Sequence, residues 1–113
     1  MVAYEEDKVG VFGRIMFCVK IHRAAGEAIL AGCDSEVLGK VFTEGELEFK
    51  VSERFYGGEV VNAEQLLRQI KESTIVNIIG DRIVDLAVGE GLVEERSVKK
   101  VGGVKHAQII TKL

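Results

Sequence analysis

The side chains best suited to nucleophile, base or metal chemistry in this 113-residue chain are its two cysteines and two histidines, Cys18, Cys33, His22 and His106. A Cys33 thiolate served by His22 or His106, with Asp34 orienting the imidazole, would form a nucleophilic triad, since the thiol needs a base and the base a fixed tautomer. No local catalytic signature surrounds these residues. Cys33 reads more simply as a buried thiol ending a strand, and Asp34 as the cap of a short helix over residues 35–39 that Gly39 ends. No catalytic residue is therefore assigned. Cys33, Asp34 and His106 are the candidates under an alternative reading, a small cysteine-dependent hydrolase or transferase.

Zinc accepts the same residue types, but Cys18 and His22 lie about 13 Å apart along one strand face, too far for one ion without a bulge. No metal or cofactor is expected. The stretch Gly32-Cys33-Asp34-Ser35-Glu36-Val37-Leu38-Gly39-Lys40 has a superficial likeness to a phosphate-binding loop. Its spacing is wrong, Val41 stands where magnesium needs a hydroxyl, and Asp34 and Glu36 would repel phosphate. Gly89-Glu90-Gly91 lacks the third glycine of a dinucleotide fingerprint and reads as a helix stop.

The elements that must position these residues follow from periodicity. Residues 15–22 alternate, with Ile15, Phe17, Val19 and Ile21 on one side and Met16, Cys18, Lys20 and His22 on the other, as in a half-buried strand. A turn over 23–27 and a strand over 28–32 complete a hairpin. Leu47, Phe49 and Val51 mark another strand, and residues 55–58 a turn in which Phe55 and Tyr56 are aromatic anchors or a stacking surface. Asn62 and Gln65 form a capping pair for an amphipathic helix over 63–73. The apolar, β-branched run 75–79 predicts a buried strand, whose Asn77 must find hydrogen-bond partners, here a tie to a neighbouring loop. Asp81 is expected to cap a helix reaching Val88, and residues 107–111 to form a last strand. Hairpins mixed with helices predict an α+β two-layer sandwich, a mainly antiparallel sheet with helices on one face. Residues 1–14 read as an N-terminal arm and 15–113 as a single domain.

Composition bounds the class. Hydrophobic residues at 47% and charged residues at 29% suit a globular protein, and no apolar run approaches the roughly 18 residues of a membrane helix. Acids precede any apolar stretch at the start of the chain, the wrong order for a secretory signal, so a cytoplasmic location and reduced thiols are expected. The net charge of −3 argues against general nucleic-acid binding. Its distribution is uneven: Arg96, Lys99, Lys100, Lys105 and Lys112 lie in an acid-free stretch, whereas Glu44, Glu46, Glu48 and Glu53 crowd the middle.

Several blocks in order resemble the archaeal domain of unknown function family numbered 424. They are Phe17-Cys18-Val19-Lys20-Ile21-His22-Arg23, then 33–40, Phe55-Tyr56-Gly57-Gly58-Glu59, Asn77-Ile78-Ile79-Gly80 and His106-Ala107-Gln108, together spanning about residues 16–110. Lys20, Cys33, Asp34, Gly39, Lys40, Tyr56, Asn77, Gly80, His106 and Gln108 match the family pattern. Lys105 replaces a family proline, and Cys18 and His22 stand where members often have other residues. The resemblance implies an archaeal cytoplasmic protein of two-layer form with no established activity. It points to a noncatalytic binding module in information processing, with translation as a setting and RNA or a translation-associated protein as partner. The binding residues expected are Lys20, Arg23, Lys40, Tyr56, His106 and Gln108. Oligomeric state does not follow from the sequence, although an uncovered C-terminal strand would invite pairing between chains.

Overall fold

The computed structural model describes residues 15–110. The first hairpin joins β1 (Met16–Ala24) to β2 (Glu27–Asp34) through Ala25 and Gly26, both with positive φ, which matches a tight turn to the twist of the strands. A 3-10 turn (Ser35–Val37) leads to a second hairpin, β3 (Val41–Glu44) and β4 (Leu47–Lys50). There follow α1 (Glu53–Tyr56), β5 (Glu59–Asn62), α2 (Ala63–Lys71), β6 (Ile75–Ile79) and α3 (Asp81–Gly89). Another 3-10 turn (Glu95–Ser97) precedes β7 (Lys99–Val101) and β8 (Val104–Ile110).

Six strands form one sheet in the order β5-β1-β2-β6-β8-β7, and β3 and β4 pair separately. Every neighbouring pair is antiparallel except β2 with β6. The class is therefore α+β with a mainly antiparallel sheet. On one face, Phe17, Val19, Leu30, Val76, Ile78 and Ala107 meet Leu66, Ile70, Ile83 and Val84 of the two longer helices. On the other, Cys18, Ala31, Cys33 and Ile79 pack with Tyr56 of α1 and with Phe42 and Phe49 of the second hairpin. The alternation expected in β1 is what divides its side chains between these two layers.

Helix α2 begins with the full capping box: Asn62 accepts from the Gln65 N–H, and the Gln65 side chain accepts from the Asn62 N–H. Replacing Asn62 with alanine is expected to lower stability by about 1 kcal/mol, read from the urea midpoint, with the sheet retained.

Several local expectations change. Residues 55–58 are not simply a turn, because Ser52 accepts from the Phe55 N–H and starts the one-turn α1. The last strand begins at Val104 and lies between β6 and β7, but β7 pairs only with Val104–His106, so among the described residues 107–110 keep an uncovered edge on that side. Asp34 makes no cap bond to the turn that follows it, and Asp81 is the first residue of α3, not its cap. The expected N-terminal arm, residues 1–14, lies outside the described residues, as does Lys112.

Candidate functional site

Register places the expected binding residues. Side chains on the hairpin-covered face fall into three cross-strand rows. One row runs Cys18, Cys33, Ile79, His106, Lys99; the next runs Lys20, Ala31, Asn77, Gln108; the third runs His22, Ile29, Ile75, Ile110. The first row is largely beneath the β3-β4 hairpin and α1, with Cys33 and Ile79 fully buried. The third is open: Ile29 and Ile75 are half-buried and Ile110 is 61% exposed.

Asn77 is the polar centre of this face. The Tyr56 hydroxyl donates to Asn77 Oδ1 at 2.6 Å, and His106 Nε2 lies 3.2 Å from the same oxygen. An amide oxygen only accepts, so the neutral imidazole carries its proton on Nε2. Tyr56 is buried, which pushes its hydroxyl pKa upward and keeps it a donor. Burial lowers the His106 pKa. The folded state then binds that proton less tightly than the unfolded chain, so stability is expected to fall as pH drops below about 6.5. Replacing His106 with glutamine should flatten this dependence in urea titrations between pH values of about 5 and 7.

Lys20 and His22 have a local role. Lys20 Nζ donates to the Arg54 carbonyl at 2.9 Å, and His22 Nε2 lies 2.8 Å from the Phe55 carbonyl. Both side chains thus satisfy carbonyls that a one-turn helix leaves without partners. The His22 and Phe55 rings stack at 4.8 Å, Phe55 meets Tyr56 edge-on, and Phe49 tilts over His106 at 5.8 Å. Aromatic walls therefore stand on both sides of the Asn77 row. Asn77 does tie the sheet to its neighbours, through Tyr56 on α1. Phe49 was missed as a site residue, although its alternation with Glu48 and Lys50 already marked it as inward-facing.

The remaining expected residues disperse. Arg23 shares the parity of Phe17 and Val19, so it belongs to the opposite face, exposed at the hairpin tip. Lys40 lines a separate shallow crevice with Asp34, Phe42, Asp81 and Arg82, where Arg82 pairs with Glu36. Lys105 is held by Asp85 at 2.6 Å and Arg96 by Glu94 at 3.0 Å. The basic C-terminal stretch is thus divided between faces and partly neutralised.

The nucleophile constellation is not assembled. Cys33 and His106 sit on β2 and β8 with β6 between them, about 10 Å apart at two strand spacings. His22 faces Ile29, about 13 Å along β2 from Cys33. Burial first, then the neighbouring Cys18 and Asp34, pushes the Cys33 thiol up to about 12. Asp34 orients no imidazole: Oδ1 accepts from the Ile83 N–H at 2.8 Å and Oδ2 from the Arg82 N–H at 3.0 Å. It caps α3 from the end of the adjacent parallel strand. Among the described residues no three His, Cys, Asp or Glu side chains gather as a metal site would require.

Fold and site define a small α+β domain with a half-covered sheet face, centred on a hydrogen-bonded tyrosine, asparagine and histidine. The chain belongs to the family described as protein of unknown function (DUF424), whose pattern matches residues 22–111. It is also similar to an uncharacterized conserved protein from Methanopyrus kandleri known from a crystal structure. That likeness has 25% identity and a TM-score of 0.75, covering 87% of this chain and 95% of the other. No curated protein matches the chain. Among the described residues no helix is long and apolar enough to cross a membrane.

Proposed function

We propose that this chain is a noncatalytic binding module and that its contact face is the open half of the sheet beside Asn77, which takes a protein partner. One observation carries the reading: Ile29, Ile75 and Ile110 form an apolar row next to the amides of Asn77 and Gln108. An apolar centre with a few placed polar groups is what protein contacts use. The aromatic walls of Phe55 and Phe49 add area that is already ordered. Phosphate binding draws less support, because Arg23, Lys40 and Lys105 do not share this face. The setting we propose is the cytoplasm of an archaeal cell, which the free thiols and the similar Methanopyrus kandleri structure support. Information processing, translation included, is the role to which the family resemblance points.

The test compares the wild-type chain with Ile110→Asp and Gln108→Glu, both at exposed positions, as baits in lysate of the source organism. A protein recovered by wild type after RNase treatment, and reduced about tenfold by Ile110→Asp, agrees with a loss of about 1.4 kcal/mol at an apolar contact. Recovery that RNase abolishes, with steep salt dependence, would replace this reading with RNA binding. Equal recovery by wild type and both variants would move the contact face elsewhere.

A further inference from the structure

We propose that Cys18 and Cys33 form a switchable dithiol, which closes to an intrachain disulfide by exchange with a low-molecular-weight disulfide and reopens with a small thiol. The two residues are direct cross-strand partners on β1 and β2, and both thiols are free. Their pairing class follows from the turn. The two-residue loop closes on Ala24 and Glu27, a hydrogen-bonded pair, and such pairs alternate along the ladder through His22 with Ile29, Lys20 with Ala31, and Cys18 with Cys33.

Hydrogen-bonded partners stand about 5.5 Å apart at Cα, inside the range disulfides span. Their Cβ atoms stand at up to about 5.5 Å, whereas a disulfide wants about 3.8 Å. Closure therefore draws the strands inward, and a disulfide formed under such tension is readily reduced. The site is built for reversal, not for a permanent staple.

Access gives the order of events. Cys18 is 7% exposed and Cys33 fully buried, and Cys18 lies between Met16 and the exposed Val60 on the short edge strand β5. The Cys18 thiolate attacks one sulfur of the external disulfide, forming a mixed disulfide and releasing one thiolate, which takes up the proton Cys18 gave away. The Cys33 thiolate then attacks Cys18 Sγ, forming the Cys18–Cys33 bond and expelling the second thiolate, which takes up the Cys33 proton. The protein loses two hydrogens, and one disulfide becomes two thiols. Burial raises the pKa of both cysteines, so exchange accelerates as pH rises.

The test treats the folded full chain with excess hydroxyethyl disulfide and follows intact mass under nonreducing conditions. The expected result is a loss of two hydrogens with no adduct, loss of both thiols that iodoacetamide labels once the chain is unfolded, and full reversal by dithiothreitol. Cys33→Ser should stop at one adduct on Cys18, and Cys18→Ser should stay unmodified. A wild-type chain that keeps one or two stable adducts, links to a second chain, or closes only in urea would overturn the proposal. The wild-type mass alone decides, so the result does not depend on either variant folding.

Discussion

Asp34→Ala is expected to destabilise the protein by about 3 kcal/mol, roughly three times the cost of removing an ordinary surface cap. The carboxylate is 2% exposed and accepts from two backbone N–H groups at the start of α3. Alanine leaves both donors without their acceptor, the Ile83 N–H in a buried position, and each such loss costs about 1–3 kcal/mol. It also unties the end of β2 from the helix packed over the sheet. Asp34→Asn keeps an acceptor and should cost less than half as much. The pH dependence separates charge from hydrogen bonding. Burial raises the Asp34 pKa, although the Arg82 and Ile83 N–H groups oppose that rise. The folded state then binds this proton more tightly than the unfolded chain. The Asp34 contribution therefore falls as pH rises from the ordinary carboxylate value, about 3.9, through the raised one. Asp34→Asn should abolish this slope. Urea unfolding of the three proteins across acidic pH tests the argument, and a loss below about 1 kcal/mol for Asp34→Ala would show that water replaces the carboxylate.

Gly80→Ala is expected to cost about 4 kcal/mol, from two causes that can be measured separately. Gly80 has φ +129°, a backbone conformation that side-chain-bearing residues rarely adopt, and this alone costs about 1–3 kcal/mol. A Cβ at this position would also stand 2.5 Å from Asp34 Cγ. The close approach is what lets the strand end at Ile79 and α3 begin at Asp81 with one residue between them. In the double variant with Asp34→Ala the collision disappears and the backbone strain stays. The two costs should then fall short of their sum by about 1 kcal/mol or more, a coupling expected only of residues in contact. Strict additivity would mean that Asp34 yields freely to the new methyl group.

Both predictions concern residues whose importance was visible in the sequence and whose work was not. Asp34 before a short turn had the chemistry of a local cap, and a cap it is. It serves a helix 48 residues away for its Arg82 bond, because β2 and β6 run parallel and bring the end of one beside the helix following the other. Asn77 in an apolar strand had to find partners, but that they are Tyr56 and His106 depends on which strand and helix lie beside it. The short strands β3, β5 and β7 were illegible as strands. Their side chains are mostly exposed, so they carry little of the alternation that burial writes into a sequence.

By itself the sequence determined the alternation of β1, the capping box and apolar stripe of α2, the buried run of β6 and the α+β class. Each of these depends on side-chain spacing within one element or on local backbone chemistry. Only the tertiary structure decided that Cys18 faces Cys33, that Arg23 and Lys40 leave the face holding Lys20 and Gln108, and that no imidazole reaches Cys33. Those facts depend on strand order and register. A strand's own pattern says which side chains share a face, but only pairing with its neighbours says which of them meet.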